Sequence, residues 1–128
     1  MLGCSGDSVD TTTDDRFKEI LAKQLDWNKA TFARLQELGL TPESQVRLDF
    51  FYYAPSEDSA KALAALIESE TDYDVTAQYL KEPTPTWSVT GSTQPTVITL
   101  DILDQWVSWM VAAGQRHDCE FDGWGTEI

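Results

Sequence analysis

His117 is the single histidine of the chain, and it is followed directly by Asp118 and Cys119. A Cys-His pair is the first chemistry such a run suggests. Neighbours along an extended segment point to opposite faces, however, and catalytic dyads are usually assembled from separate elements. His117 is therefore read as a surface turn residue. The sequence contains no Gly-rich loop opening a helix, no Gly-Lys-Ser/Thr, no His-Glu-x-x-His and no nucleophile elbow, so nothing in it is patterned to cradle phosphate or to activate a serine. Carboxylates are abundant, among them Glu68, Glu70, Asp72, Asp74, Asp101 and Asp104. Their spacing lacks the fixed glycine and closing glutamate of a calcium loop, and they read as solvated faces. A carboxylate pair of the glycosidase kind needs a deep pocket, which a chain this short rarely offers. No catalytic residue, no metal ligand set and no cofactor is expected, and the chain is read as a non-enzyme.

Core packing is the expected use of most of its aromatic residues, and recognition that of those left partly exposed. Trp27, Trp87, Trp106, Trp109 and Trp124 are five tryptophans in 128 residues. Trp106 fits the apolar stripe of a helix, whereas Trp109 lies off that stripe, and a partly exposed tryptophan beside carboxylates suits a protein interface. The closing stretch from Cys119 through Phe121, Asp122, Gly123, Trp124, Gly125 and Thr126 carries the most identity. Two glycines around Trp124 permit a sharp path with positive φ and let the ring be pinned against a neighbour. Trp124 is then either a plug that locks the last strand, the reading that the packing preference of large aromatics favours, or part of a contact surface. The candidate partner-binding residues are Asp122, Trp124, Trp109, Phe51 and Tyr53.

Charge restricts the partner. Nine Lys and Arg against 22 Asp and Glu leave a net charge of −13 and a pI near 4.1. Such a field repels nucleic acid and anionic membranes and attracts basic protein surfaces with a salt-sensitive on-rate. Direct nucleic-acid binding is excluded on that ground. Cys4 and Cys119 are too few for a disulfide framework or a four-ligand zinc site, so reduced thiols and a cytoplasmic setting are expected. There is no apolar run of about 18 residues, hence no transmembrane segment. Met1 to Cys4 leaves no room for a signal peptide's apolar region, yet Leu2, Gly3 and Cys4, followed by a polar tether to Thr13, resemble a bacterial lipoprotein cleavage site. An omitted upstream signal would place the protein in the envelope.

These residues must be positioned by one domain's worth of elements. Residues 1–13 are small, polar and acidic, the composition of a disordered tail. A helix is predicted over 14–39, capped by Thr12 or Thr13 and ended by Gly39. Phe17, Leu21, Leu25, Asn28, Phe32, Leu35 and Leu38 recur along it at steps of three and four, and Ile20, Trp27 and Ala30 widen the stripe. Residues 45–53 alternate as a strand, with Val46, Leu48, Phe50 and Tyr52 on one face and Arg47, Asp49, Phe51 and Tyr53 on the other. Ser56 caps a helix carrying Ala60, Leu63, Ala64 and Ile67 inward. Strands follow at 73–79 and 86–90, joined as a hairpin through Pro83 to Pro85, and residues 91–96 read as turn. Thr99 caps a third helix that turns Leu103, Trp106, Val107, Met110 and Ala113 inward, with Gly114 weakening its last turn, and Cys119 to Phe121 closes as a strand.

After the first helix, the order is strand, helix, strand, strand, helix, strand. That is the split βαβ order of ferredoxin-like α+β folds, in which both helices pack on one face of a four-stranded antiparallel sheet. The second face would then show Phe51 and Tyr53, and the first helix is expected to cover it.

The strand from Val46 to Ala54, the helix after it, the strand from Trp87 to Thr90, the helix after Thr99 and the ending from Glu120 to Thr126 are together similar to the RraB-type regulators of ribonuclease activity, the ribonuclease E inhibitor domains. The resemblance spans residues 45–128. Its most specific part is a Gly-x-Tyr-Asp-Gly-Trp-x-Thr-like finish, in which Phe121 here replaces the usual tyrosine and Cys119 the preceding glycine-rich position. The resemblance implies a ferredoxin-like, non-enzymatic domain that binds a ribonuclease E-type endoribonuclease or its degradosome and lowers its action on RNA. It also implies an arginine-rich docking region on the partner, for which an acidic chain is suited. The chain departs from the family pattern in its leading helix of roughly 25 residues and in lacking an acidic C-terminal tail. The alternative is another interaction module, immunity-like or an envelope lipoprotein, that neutralises a basic partner.

Overall fold

The computed structural model describes residues 4–82 and 85–126, with side chains from Asp15 onward. Leu2 and Gly3 of the lipoprotein-like start, the side chain of Cys4 and part of the Pro83 to Pro85 connection lie outside the described residues. Among those described, three helices and six strands form an α+β fold with two antiparallel sheets. In chain order they are α1 (Cys4–Glu37), β1 (Gln45–Val46), β2 (Asp49–Ala54), α2 (Glu57–Glu70), β3 (Asp74–Leu80), β4 (Thr86–Ser92), β5 (Thr96–Val97), α3 (Leu100–Gln115) and β6 (Glu120–Gly125). The larger sheet has the order β3-β4-β2-β6, and β1 pairs with β5 in the smaller one.

α1 takes in residues 4–13, which composition assigns to a tail, and Thr12 and Thr13 fall within the helix rather than at its cap. The segment holds no proline, and extending a helix that is already nucleated fixes only one further residue per hydrogen bond. At the other end Gly39 stops it as expected. With φ at +115°, Gly39 donates from its N–H to the Gln36 carbonyl at 3.1 Å, while Leu40 N–H reaches the Leu35 carbonyl at 2.9 Å. These are the paired bonds of a Schellman cap, and Leu35 and Leu40 are both buried beside them. Phe17, Ile20, Asn28 and Leu35 form the buried stripe, but Trp27, Ala30 and Leu38 are exposed.

α1 does not cover the sheet face that carries Phe51 and Tyr53. It packs on α3 and along the edge strand β6. The reason lies in the partners of its stripe: Arg16, Gln24 and Asn28, spaced in multiples of four on one face, are all bonded to residues of β6.

The predicted strand over 45–53 is two strands. Val46, Leu48, Phe50 and Tyr52 are all buried as the alternation requires, but the ladder changes partner at Leu48. Leu48 N–H donates to Thr93 Oγ1 at 3.0 Å, and Thr93 N–H donates to the Leu48 carbonyl at 2.9 Å. Thr93 thus draws the chain out of the large sheet, and β1 pairs with β5 instead. The hairpin of β3 and β4 forms as read, with β4 extended through Gly91 to Ser92.

The other two predicted N-caps hold. Ser56 Oγ accepts from Ser59 N–H at 3.1 Å, and Thr99 Oγ1 accepts from Ile102 N–H at 3.1 Å, each satisfying a donor that the first helical turn leaves free. α2 buries Ala60, Leu63, Ala64 and Ile67, and α3 buries Leu103, Val107, Met110 and Ala113. Trp106 sits half-buried against Phe50, Phe121 and Trp124. Gly114 proves to be a packing position: a Cβ there would stand 2.7 Å from the Cys119 carbonyl oxygen and 2.8 Å from the Tyr52 ring. Tyr52 completes this corner by donating its hydroxyl to the Met110 carbonyl at 2.6 Å.

Candidate functional site

β6 carries the closing motif, and its geometry follows from one extra residue. Phe51 pairs with Gly123 and Tyr52 with Phe121, so Asp122 has no partner opposite it on β2 and the register shifts there. A regular strand alternates, which would put Phe121 and Trp124 on opposite faces. The bulge restores both to the inner face. Gly123, at φ +148°, supplies the backbone conformation that residues with a Cβ rarely adopt. Asp122 is left pointing outward, exposed.

Trp124 is 4% exposed and packs edge-on against Trp106 with ring centroids 6.3 Å apart. Its indole Nε1–H donates to Asn28 Oδ1 at 2.8 Å, and Asn28 Nδ2 donates to Asp104 Oδ1 at 3.0 Å. This relay ties β6, α1 and α3 together, and it explains how a fully buried asparagine sits in an apolar stripe. Three further bonds run along the same seam. Gln24 Nε2 donates to the Asp122 carbonyl at 3.2 Å, and the Arg16 guanidinium donates through both Nε and Nη2 to Glu120 at 3.0 and 2.9 Å. The hydrogen bond from Arg16, joined by its charge, holds the Glu120 carboxyl below the usual carboxylate range. A depressed pKa stabilises the fold above the unfolded value and is lost as pH falls through the folded one, so this clasp loosens on the acid side. Both groups are well exposed to solvent, so its contribution is small.

Of the predicted contact residues, Asp122, Trp124 and Phe51 come together. They line a groove of about 330 Å³ with Lys23, Gln24, Trp27 and Gly123. Phe51 is 43% exposed and Tyr53 48%, both on the uncovered sheet face. Tyr53 does not line the groove. Trp109 is 37% exposed on the outer side of α3, apart from the others. Trp27, 53% exposed at the groove's rim, is the residue that the sequence reading missed. A sign was present in its polar neighbours, Asp26 before it and Lys23 one turn back, which mark a solvated edge of the helix. A second cavity of about 280 Å³ lies between the smaller sheet and α3, lined by Leu48, Tyr73, Pro95 and Trp106 among others.

The His117 and Cys119 pair does not form a reactive centre. Cys119 is buried, and its thiol lies 3.4 Å from the His117 carbonyl oxygen. Burial foremost, then the charge of Asp118, pushes its pKa up to about 11. The raised value keeps the thiol protonated at neutral pH, and only the thiolate is a nucleophile. In a Cys4→Ser background, maleimide is expected to leave Cys119 unmodified at pH 7.5 until denaturant is added; rapid native labelling would contradict this burial. Among the described residues no three His, Cys, Asp or Glu side chains converge to hold a metal ion, and no helix is long and apolar enough to cross a membrane.

Residues 25–126 match the family model described as regulator of ribonuclease activity B. The match begins in the middle of α1 and runs through the closing motif. No curated protein matches the chain.

Proposed function

Because the chain belongs to the regulator of ribonuclease activity B family, we propose that it is a non-enzymatic, acidic protein that binds a ribonuclease E-type endoribonuclease and restrains its action on RNA. The family match carries this reading. The charge of −13 supports the mode of action: it favours a basic protein segment over RNA itself and makes the encounter electrostatically steered. Two structural readings go with it. The β3-β4-β2-β6 order, with α2 and α3 joining its strands, supports a ferredoxin-like domain over 45–128. The bonds from Arg16, Gln24 and Asn28 to β6 support treating the preceding helix as part of the same working unit. A cytoplasmic setting follows from the proposed partner.

The purified chain is expected to slow RNA cleavage by the cognate ribonuclease E at low ionic strength. The effect weakens as salt rises, since the screening length shortens from about 10 Å at 0.1 M to about 3 Å at 1 M. Unchanged cleavage at low salt, together with failure of the two proteins to co-purify, would remove the reading.

A further inference from the structure

We infer that the groove between α1 and β6 receives an arginine side chain of a basic protein segment, with Trp27 and Phe51 flanking the guanidinium and Asp122 supplying its counter-charge. The inference deepens the proposal above, because it names the surface and the side-chain chemistry by which a basic partner would be held.

Three observations point there. Trp27 and Phe51 come from different elements, and each leaves about half of its surface in solvent, yet both line one concavity. Exposed aromatic faces of this kind attract a cation, and arginine most readily because its planar guanidinium also stacks. Asp122 is the extra residue of the bulge, so its side chain is set outward at the groove while its backbone carbonyl is held by Gln24 Nε2. That same bond fixes the Gln24 amide where it lines the groove. Finally, the floor is open because Gly123 has no side chain: a Cβ there would meet nothing nearer than the Gln24 amide at 3.9 Å.

The same features argue against other occupants. An anionic ligand or nucleic acid would face Asp122 and the whole field of −13, and a second copy of the chain would bring an equal negative charge. Lys23 at the rim is the one opposing cation of the groove lining.

The test uses the full chain and short all-arginine and all-lysine peptides of equal length, with binding followed calorimetrically at low salt. The arginine peptide is expected to bind several-fold more tightly. Trp27→Ala, Phe51→Ala and Asp122→Asn should each weaken it about fivefold, whereas Asp101→Asn, the same change of net charge on exposed α3 surface, should alter it less than about twofold. Lys23→Gln should tighten binding more than Lys29→Gln does. All these positions are exposed, and a melting curve for each variant checks that folding is intact. Equal losses for Asp122→Asn and Asp101→Asn, with no effect of removing either ring, would overturn the groove in favour of diffuse attraction. The regulator reading fails separately. If the cognate ribonuclease binds the groove variants as well as the native chain, the groove is wrong and the regulator reading stands; if the arginine peptide is held at the groove but the ribonuclease is not bound, the reverse follows.

Discussion

Trp124→Ala is expected to cost the protein about 4 kcal/mol of stability, within the range of roughly 3–5 kcal/mol found for emptying a large aromatic site. Two effects add in one direction. The ring fills space against Trp106 and lines the core where β6 meets α3, so its loss leaves a cavity that the flanking helices can only partly close. Its indole N–H also satisfies Asn28 Oδ1, and Asn28 is fully buried, so truncation leaves an acceptor unpaired in a dry site. For a chain of this size the loss corresponds to a fall in Tm of roughly 10–20 °C, against a total stability of about 5–15 kcal/mol for an ordinary domain. Trp124→Phe restores much of the volume but not the donor and should fall between. Trp27→Ala, at an exposed rim position, should change stability by less than about 0.5 kcal/mol. Thermal melts of the three variants decide the role of the closing motif: a Trp124→Ala protein that melts within a degree or two of the native chain would sink the plug and leave contact as the motif's only function.

The same residue shows what could and could not be read beforehand. Residue type gave Trp124 its packing role, and the glycines on either side gave the unusual backbone path. The bulge at Asp122 was not legible, because a register shift is defined by which residue on β2 pairs with which on β6. Local signals served well elsewhere. Ser56 and Thr99 cap their helices through hydrogen bonds three residues long, and the Gly39 stop is written within a single turn. Signals that depend on distant partners did not. Period-two alternation runs straight through Arg47 and Leu48, and the strand nonetheless breaks there because Thr93, 45 residues away, binds the backbone of Leu48. The stripe of α1 announces that one face is buried without saying against what; the spacing of Arg16, Gln24 and Asn28 in multiples of four acquires meaning only once β6 lies beside it. As a result the Phe51 and Tyr53 face stays open, and Trp27, read as part of the stripe, stands in solvent at the rim of the groove.

Gly91→Ala is expected to destabilise the fold by about 3 kcal/mol, at the upper end of the usual range for overpacking a filled core. Intrinsic preference argues for the opposite sign. Glycine weakens a strand interior by roughly 0.5–1 kcal/mol relative to alanine, so a strand glycine with free space around it would be improved by the change. In the structure Gly91 lies inside β4, paired with Phe50 on one side and Val75 on the other. A Cβ there would stand 2.1 Å from the Asp74 carbonyl oxygen, 2.6 Å from Phe50 Cζ and 3.0 Å from Val75 Cα. Two of these are backbone atoms of β3, which no rotamer change can move aside. Phe50 is fully buried and hemmed by the rings of Tyr52, Tyr73 and Trp106, so it cannot swing away without disturbing the centre of the core. Relief has to come from prising β3 off β4. Gly125→Ala supplies the control, since a Cβ on that strand end meets nothing within 4 Å, and its effect should stay within about 0.5 kcal/mol. Gly39→Ala separates conformation from space: its surroundings are open but its φ is +115°, so it should cost about 1 kcal/mol from backbone strain alone. Denaturant midpoints that rank native, Gly125→Ala, Gly39→Ala and Gly91→Ala in falling order would match the close approach of strands, whereas a Gly91→Ala chain as stable as the native one would mean that β3 and β4 do not lie against each other at this register.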